Sequence, residues 1–537
     1  MTSFSRIVRT THVNLHSVGI LQRAGTIDFR RPATIVHASR AIRQYGPIAG
    51  AAIASAHRTP GAIALIDESG SLTYKDLDSR SNALARGLIA LGIGPESVVA
   101  SLCRDHRGLV DTMLATAKIG ATLVLFNTGF SARQLADVAV REGATAIVYD
   151  QEFTALLAEL PTTVTRVLAW QDEPEEATPT VDVLIDTNVD FELEPPRTQG
   201  GFVLLTGGTT GTPRGVPRRV RSPLAAAAFL ERVPLRRGEV TVLAAPLFHG
   251  TALTQFIMSF SLGSTVVVRR RFDATATIAG IAKHRATALV VVPTMLRRIL
   301  DLGPEVLARY DTSSLRIIFS AGSALPAALG NEATRAFGDV LYNFYGSTEV
   351  GVAAISTPAD WKVAPGTVGK SPTSVTVRLY DDNDRLVTEP GVKGTIFVGS
   401  MLSFAEYSGG GGKKIIDGLL SSGDVGHWDE GGRLFIDGRD DDMIVSGGEN
   451  VFPGEVEELL YAHPAVSEAA VVAVADEEFG QRLAAYIVRT PDAAIDADAV
   501  RSHVRENLAR FKVPRDVHFI DELPRTATGK LLRRALG

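Results

Sequence analysis

The sequence predicts an α/β protein: a large N-terminal domain of parallel α/β sheets with a small antiparallel β region, followed by a smaller α+β C-terminal domain. Three observations carry that expectation. From residue 62 onward, short runs rich in Val, Ile and Leu alternate with helical patterns that stop at glycine, the spacing of β-α-β units. Between residues 373 and 437 the helical patterns vanish, and 375–380 and 394–398 read as strands around turns. In the last hundred residues, helices near 454–462 and 497–509 flank strands near 468–475 and 484–489.

The elements follow in order. Residues 62–66 and 72–74 read as strands on either side of a turn at Glu68-Ser69-Gly70, and a helix runs from Tyr74 to Leu91, stopped by Gly92. Residues 98–103 form a strand, 110–119 a helix with Gly120 just past its end, and 121–125 the next strand. Residues 171–200 are acidic and Pro-rich, the composition of a surface connection. The alternation then resumes with strands at 240–243, 265–268, 288–292 and 315–319 and a helix near 274–283. In such sheets ligands sit beyond the carboxyl ends of the strands, where the loop 206–215, His249, Pro293 and Ser320 to Gly322 fall.

The 537 residues suffice for three or four domains of about 150 residues each. The net charge of −5 gives no electrostatic footprint for nucleic acid. Cys103, the one cysteine, cannot form an intrachain disulfide and reads as a buried thiol in an apolar run. No Cys/His group has zinc spacing, and no run of about 18 apolar residues predicts a membrane-spanning helix. The expected location is the cytoplasm. Residues 1–45 stand apart, with seven arginines and a single acid, Asp28. They read either as a basic amphipathic stretch resting on the anionic inner face of a membrane, or as a helix packed on the body.

The motif that organises the chain is Thr206-Gly207-Gly208-Thr209-Thr210-Gly211-Thr212-Pro213-Arg214-Gly215, directly after the apolar run 202–205. Its glycines let backbone N–H groups turn inward, its threonines add hydroxyls, and Arg214 adds a fixed charge. Together these make a cradle for phosphate oxygens that lacks the Walker order; the alternative is a plain surface turn. Further on, Tyr342-Asn343-Phe344-Tyr345-Gly346-Ser347-Thr348-Glu349 offers an aromatic face to stack on a purine, a hydroxyl for a phosphate, and a carboxylate for Mg²⁺. Ser421-Ser422-Gly423-Asp424 puts a carboxylate on a tight turn, suited to ribose hydroxyls. Gly438-Arg439-Asp440-Asp441-Asp442, Ser446-Gly447-Gly448-Glu449-Asn450 and Pro524-Arg525-Thr526-Ala527-Thr528-Gly529-Lys530 complete the set.

In this order the motifs resemble those of the adenylate-forming superfamily of acyl- and aryl-CoA synthetases, luciferases and peptide-synthetase adenylation domains. The resemblance covers nearly everything beyond the first 45 residues. It implies a large domain over 46–438 and a small, mobile one over 439–537, turning on a hinge at Asp441. It implies ATP, Mg²⁺ and CoA as reactants and cofactors. By the resemblance, the 206–215 loop holds the β- and γ-phosphates. Ser320, Ala321, Gly322 and Tyr345, with Phe344, Gly346 and Ser347 beside them, hold adenine. Thr348 touches the α-phosphate, Asp424 and Arg439 bind ribose, and Thr206 and Glu349 hold Mg²⁺. Lys530 bridges the acid and the α-phosphate in the first step, and Ser446, Gly447, Gly448 and Glu449 line the CoA tunnel in the second. His249 resembles the gate between acid pocket and tunnel, and its alternative is a structural histidine.

Some positions depart from the family pattern. Arg214 stands where Lys is usual, Gly207 replaces a usual Ser or Thr, Ser422 replaces a usual Thr, and Gly409 to Gly412 replaces a longer, less glycine-rich stretch. No acid follows the strand at 240–245, which argues against an amino-acid substrate. The expected acid pocket is Phe248, Leu253, Phe256, Ala324, Val350 and Ala353, apolar or small throughout. The reading is a ligase for a medium- or long-chain fatty acid. The alternatives are a fatty acyl-AMP ligase that loads a carrier protein and an aryl-CoA ligase.

Overall fold

The computed structural model describes residues 3–174, 178–206, 214–218, 225–400, 407–408, 412–439, 442–446, 449–476, 480–526 and 530–536. At residues 3–13, Thr206, Arg218, Ala225, 445–446, 449–450 and Gly480 it describes the backbone alone. Two largely parallel sheets carry the large N-terminal part. In the first, eight strands run Gly351–Ser356, Leu341–Ser347, Ile317–Ser320, Ala288–Val291, Val240–Leu243, Thr265–Val268, Ile63–Asp67 and Gly70–Thr73, antiparallel only at the two edges. In the second, six strands run Thr165–Trp170, Ala146–Asp150, Val98–Leu102, Thr122–Leu125, Phe202–Thr206 and Arg214–Arg218. Side chains from both sheets and from the helices between them share one core.

Local chemistry explains the helix boundaries. Thr73 and Asp76 form a reciprocal capping box at the start of the helix Tyr74–Ala90. The helix Arg107–Ile119 ends on Gly120 in the left-handed conformation. An antiparallel sheet spans Thr376–Tyr380 to Leu434–Arg439, as the loss of helical patterns predicts. The C-terminal unit has its own sheet, built on the long hairpin Val466–Asp476 and Gly480–Arg489, and its own core. The connection at 171–200 contains a short helix, Val181–Asp186, that its acidic composition hid.

At the N-terminus the chain takes the alternative of helices packed on the body. Helix α1 (Ser3–Ala24) buries Ser17, Ile20, Leu21 and Ala24 and packs on the helix Ala225–Leu230. Helix α2 (Pro32–Arg58) packs on Arg107–Ile119, Tyr74–Ala90 and Gly250–Ser261. The apolar stripe of these helices is therefore part of the main core, while Arg23, Arg30 and Arg31 face outward. α2 breaks at Gly46 (φ 80°), just before Pro47. No helix among the described residues is long and apolar enough to cross a membrane.

Candidate active site

The carboxyl ends of the first sheet's strands and the C-terminal unit enclose one cavity of about 1640 Å³. The two strands on either side of the phosphate-loop motif pair with each other beside this cavity. The strand Phe202–Thr206 pairs with Arg214–Arg218, and Thr206 sits opposite Arg214. Gly207, Gly208, Thr209, Thr210 and Gly211 lie outside the described residues. Arg214 lines the cavity, with its guanidinium 5.3 Å from the centre of the Tyr407 ring.

The strand Leu341–Ser347 carries Phe344, Tyr345, Gly346 and Ser347 into the cavity, followed by Thr348 and Glu349. Gly346 is obligatory here: a Cβ on it would lie 2.0 Å from the Gly351 carbonyl oxygen of the neighbouring strand. The Tyr345 hydroxyl donates to Asp424 Oδ2 at 2.6 Å. Asp424 pairs in register with Arg439, whose Nη1 stands 3.9 Å from Oδ1. Burial pushes the Asp424 carboxyl above its ordinary range, while the Tyr345 hydrogen bond and the Arg439 charge pull it back. Glu349 is buried and accepts the Tyr407 hydroxyl on Oε1 at 3.1 Å. Burial and the Glu349 charge push the Tyr407 phenol up to about 12, so it stays a donor.

His249 follows the strand Val240–Leu243 and lines the cavity. Its ring leans on Phe248 at 4.4 Å, and its Nε2 has no partner among the described residues. Burial, aided by the Lys530 charge, pushes it down to about 3, so the imidazole is neutral. The loop that carries it is braced by Asp105, whose carboxylate oxygens stand 3.1 and 3.2 Å from the Leu247 N–H.

Lys530 enters from the C-terminal unit. Its backbone closes a tight turn, with its N–H on Thr526 Oγ1 at 3.1 Å and its carbonyl accepting from Thr526 N at 2.8 Å. Its side chain is exposed, but to the inside of the cavity, whose walls surround it. That burial lowers the ammonium from its ordinary value and Arg439 repels it, while Glu349 and Asp424 act in the opposite sense. The backbone of Ser446 pairs with Glu449 in a hairpin; Asp441, Gly447 and Gly448 lie outside the described residues.

Several expected positions are displaced from the lining. Ser320 and Ala321 are fully buried beneath the cavity, and Gly322, Ser323 and Ala324 face it. Leu253 and Ala324 line the acid side as expected. Phe256 points the other way on its helix, into the core against Phe260. On that helix the lining face is Gly250, Thr251, Leu253, Thr254, Ile257, Met258 and Ser261, the three-to-four spacing of one helical stripe. Phe248 is buried behind His249, and Val350 and Ala353 pack into the antiparallel sheet's core, leaving Gly351 and Val352 at the cavity. Tyr407 and Asp105 carry no motif signal, because what marks them is contact with residues far away in the chain. Cys103 is a buried thiol donating to the Val148 carbonyl at 3.4 Å, its pKa raised by burial.

Comparison with known proteins agrees with this geometry. The AMP-binding enzyme family matches residues 53–408, and the AMP-binding enzyme C-terminal domain matches residues 455–530. A fatty acid–[acyl-carrier-protein] ligase of Streptomyces coeruleorubidus is 31% identical over 90% of this chain and 94% of its own length. An indoleacetate–CoA ligase of Aromatoleum aromaticum is 32% identical over 88% of this chain and 94% of its own. The o-succinylbenzoate CoA synthetase of Bacillus subtilis, solved with its acyl-adenylate intermediate, superposes with a TM-score of 0.79 at 28% identity, covering 90% of this chain and 97% of that one. The chain belongs to the AMP-binding enzyme family and is an adenylate-forming ligase.

Proposed function

We propose that this ligase activates an apolar carboxylic acid, a medium- or long-chain fatty acid, as its acyl-adenylate and then transfers the acyl group to CoA. The observation that carries the reading is one cavity that joins a polar end to an apolar arm. The polar end holds Lys530, Asp424, Arg439 and Glu349, and the arm is lined by Leu253, Ile257 and Met258. The loop 246–250 offers no carboxylate to an ammonium group in that arm.

The residues present suit the reactants. Glu349, an acceptor-only oxygen ligand oriented by Tyr407, together with Thr206 fits Mg²⁺, which when bound neutralises phosphate charge. Phe344 and Tyr345 offer a face for adenine, and Asp424 with Arg439 offers an acceptor and a donor for ribose. The acid's carboxylate oxygen attacks the α-phosphorus, a P–O bond forms, and pyrophosphate leaves with the electrons of the broken bond. Lys530 holds both anions and stabilises the charge that builds on the α-phosphate, which Thr348 also touches. Neutral His249 stands between the acid pocket and the path of the thiol, where it adds no fixed positive charge. In the second step the thiolate of CoA attacks the acyl carbon and AMP departs. The unit after residue 438, turning about Asp441, removes Lys530 and presents Ser446, Gly447, Gly448 and Glu449 to the pantetheine arm.

The similarity to a fatty acid–[acyl-carrier-protein] ligase favours a carrier protein as acceptor, and the similarity to an indoleacetate–CoA ligase favours an aryl acid. Pyrophosphate release over aliphatic and aryl acids, with and without CoA, separates the three. Acid-dependent release with acyl-CoA as product supports the proposal, and adenylate without acyl-CoA supports the carrier reading. For the outer edge of the N-terminal helices, where Leu15, Phe29 and Val36 are exposed near Arg23, Arg30 and Arg31, we infer peripheral contact with anionic lipid. Co-sedimentation with anionic vesicles that Leu15→Ser with Phe29→Ser abolishes tests it; no co-sedimentation refutes it.

A further inference from the structure

The cavity has a wall that the family match does not include. That match begins at residue 53. Yet Leu21 of α1, Ile27 of the connection, and Ile35, Ala38, Ile42 and Ala51 of α2 line the same cavity as His249 and Lys530. The break at Gly46 makes this possible. The second arm of α2 folds back so closely that a Cβ on Gly50 would lie 2.6 Å from the Ile42 Cα. Two helical arms thereby present apolar side chains to one space.

The opposite wall is the helix Gly250–Ser261, which lines the cavity from its first residue, next to His249, to its last. At 1.5 Å per residue that lined length is about 16 Å. At its far end stands Arg58 of α2, which also lines the cavity. Its Nη2 donates to the Ser261 carbonyl at 3.0 Å and to Ser55 Oγ at 3.1 Å. An extended chain advances about 1.2 Å per bond, so the lined length takes roughly 13 bonds.

We propose that the two N-terminal helices are the length gauge of the acid site. The substrate class is an unbranched aliphatic acid of roughly 12 to 14 carbons. Its carboxylate lies at the Lys530 end, and its tail lies between Gly250–Ser261 and α2. On the α2 side this arm is lined mainly by Ile35, Ala38, Ile42, Ala51 and Ala54, with Ser39 and Pro47 among them and Arg58 at the end, and a single-ring aryl acid would leave most of its length unfilled. This inference rests on the acid–thiol ligase reading and deepens it by naming the chain length and the residues that set it.

The test is kcat/KM for pyrophosphate release over saturated acids from hexanoic to hexadecanoic, in the wild type, Ala38→Phe and Ile42→Ala. In the wild type each added methylene should raise kcat/KM by about fourfold up to tetradecanoic acid. Ala38→Phe, which fills the arm, should lower the tetradecanoic-to-hexanoic ratio at least tenfold; Ile42→Ala, which enlarges it, should shift the optimum to a longer acid. A ratio and an optimum unchanged in both variants would overturn the gauge and leave the ligase reading standing. A wild type that activates aryl acids and no aliphatic acid would overturn the fatty-acid reading itself. Should Ala38→Phe fail to fold, as read from its thermal melt, Ile42→Ala alone decides.

Discussion

The phenol of Tyr345 donates to Asp424 Oδ2 at 2.6 Å, joining a strand of the large parallel sheet to the antiparallel sheet. The hydrogen bond thus ties together the aromatic face proposed for adenine and the carboxylate proposed for ribose, with Arg439 beside them. Asp424→Asn keeps an oxygen acceptor for Tyr345 and removes the charge. Hydrogen bonds to charged groups contribute about 1.5–3 kcal/mol, so KM for ATP should rise about tenfold or more. Initial-rate kinetics against ATP checks this, and an unchanged KM removes Asp424 from the ribose site.

Lys530 should act in the first half-reaction alone. Lys530→Ala should lower pyrophosphate release by about 10²–10³, the cost of one preorganised donor. Thioester formation from preformed acyl-adenylate should survive. Equal loss in both half-reactions would make the lysine a structural element of the C-terminal unit.

Tyr407 should matter through Glu349. Tyr407→Phe keeps the ring under Arg214 and deletes the donor to Glu349 Oε1. Orienting partners of a metal ligand typically carry about 10–100-fold in metal affinity, so the Mg²⁺ concentration for half-maximal activity should rise about tenfold. A Mg²⁺ titration that superposes on the wild type would detach Tyr407 from that role.

Asp105 should make stability fall with pH. Burial pushes its carboxyl up to about 7, with the Leu247 N–H and His106 opposing and Asp150 reinforcing. The folded state keeps a proton that the unfolded chain loses near pH 4. Its contribution is therefore full below about pH 4, declines toward pH 7 and is constant above, with a slope of at most about 1.4 kcal/mol per pH unit. Asp105→Asn keeps an acceptor for Leu247 and removes that titration. Denaturant melts should show the variant gaining on the wild type between about pH 4 and pH 7; a difference independent of pH would contradict the assignment.

Much of the fold was legible because it is written locally. The Thr73–Asp76 box and Gly120 mark helix ends within a few residues of sequence, and the apolar runs mark buried strands. Tyr345, Glu349, Asp424, Arg439 and Lys530 were legible as motifs, and the fold brings them to one cavity. What was not legible depends on rotation or on distance. Phe256 and Ile257 are adjacent and equally apolar, and only the turn of the helix puts one in the core and the other at the cavity. Val350 and Ala353 lie in the turn and strand after Glu349, and only the fold shows that their side chains go to the antiparallel sheet's core while Val352 faces the cavity. The role of residues 21–54 in the cavity wall depends on α2 folding back at Gly46, which no periodicity reveals.

The most direct test of the central claim follows the fate of ATP. With Mg²⁺ and tetradecanoic acid, ATP should be cleaved between the α- and β-phosphates, giving pyrophosphate and acyl-AMP, and acyl-CoA with AMP once CoA is added. Production of ADP and phosphate, or cleavage that does not depend on the acid, would contradict the account.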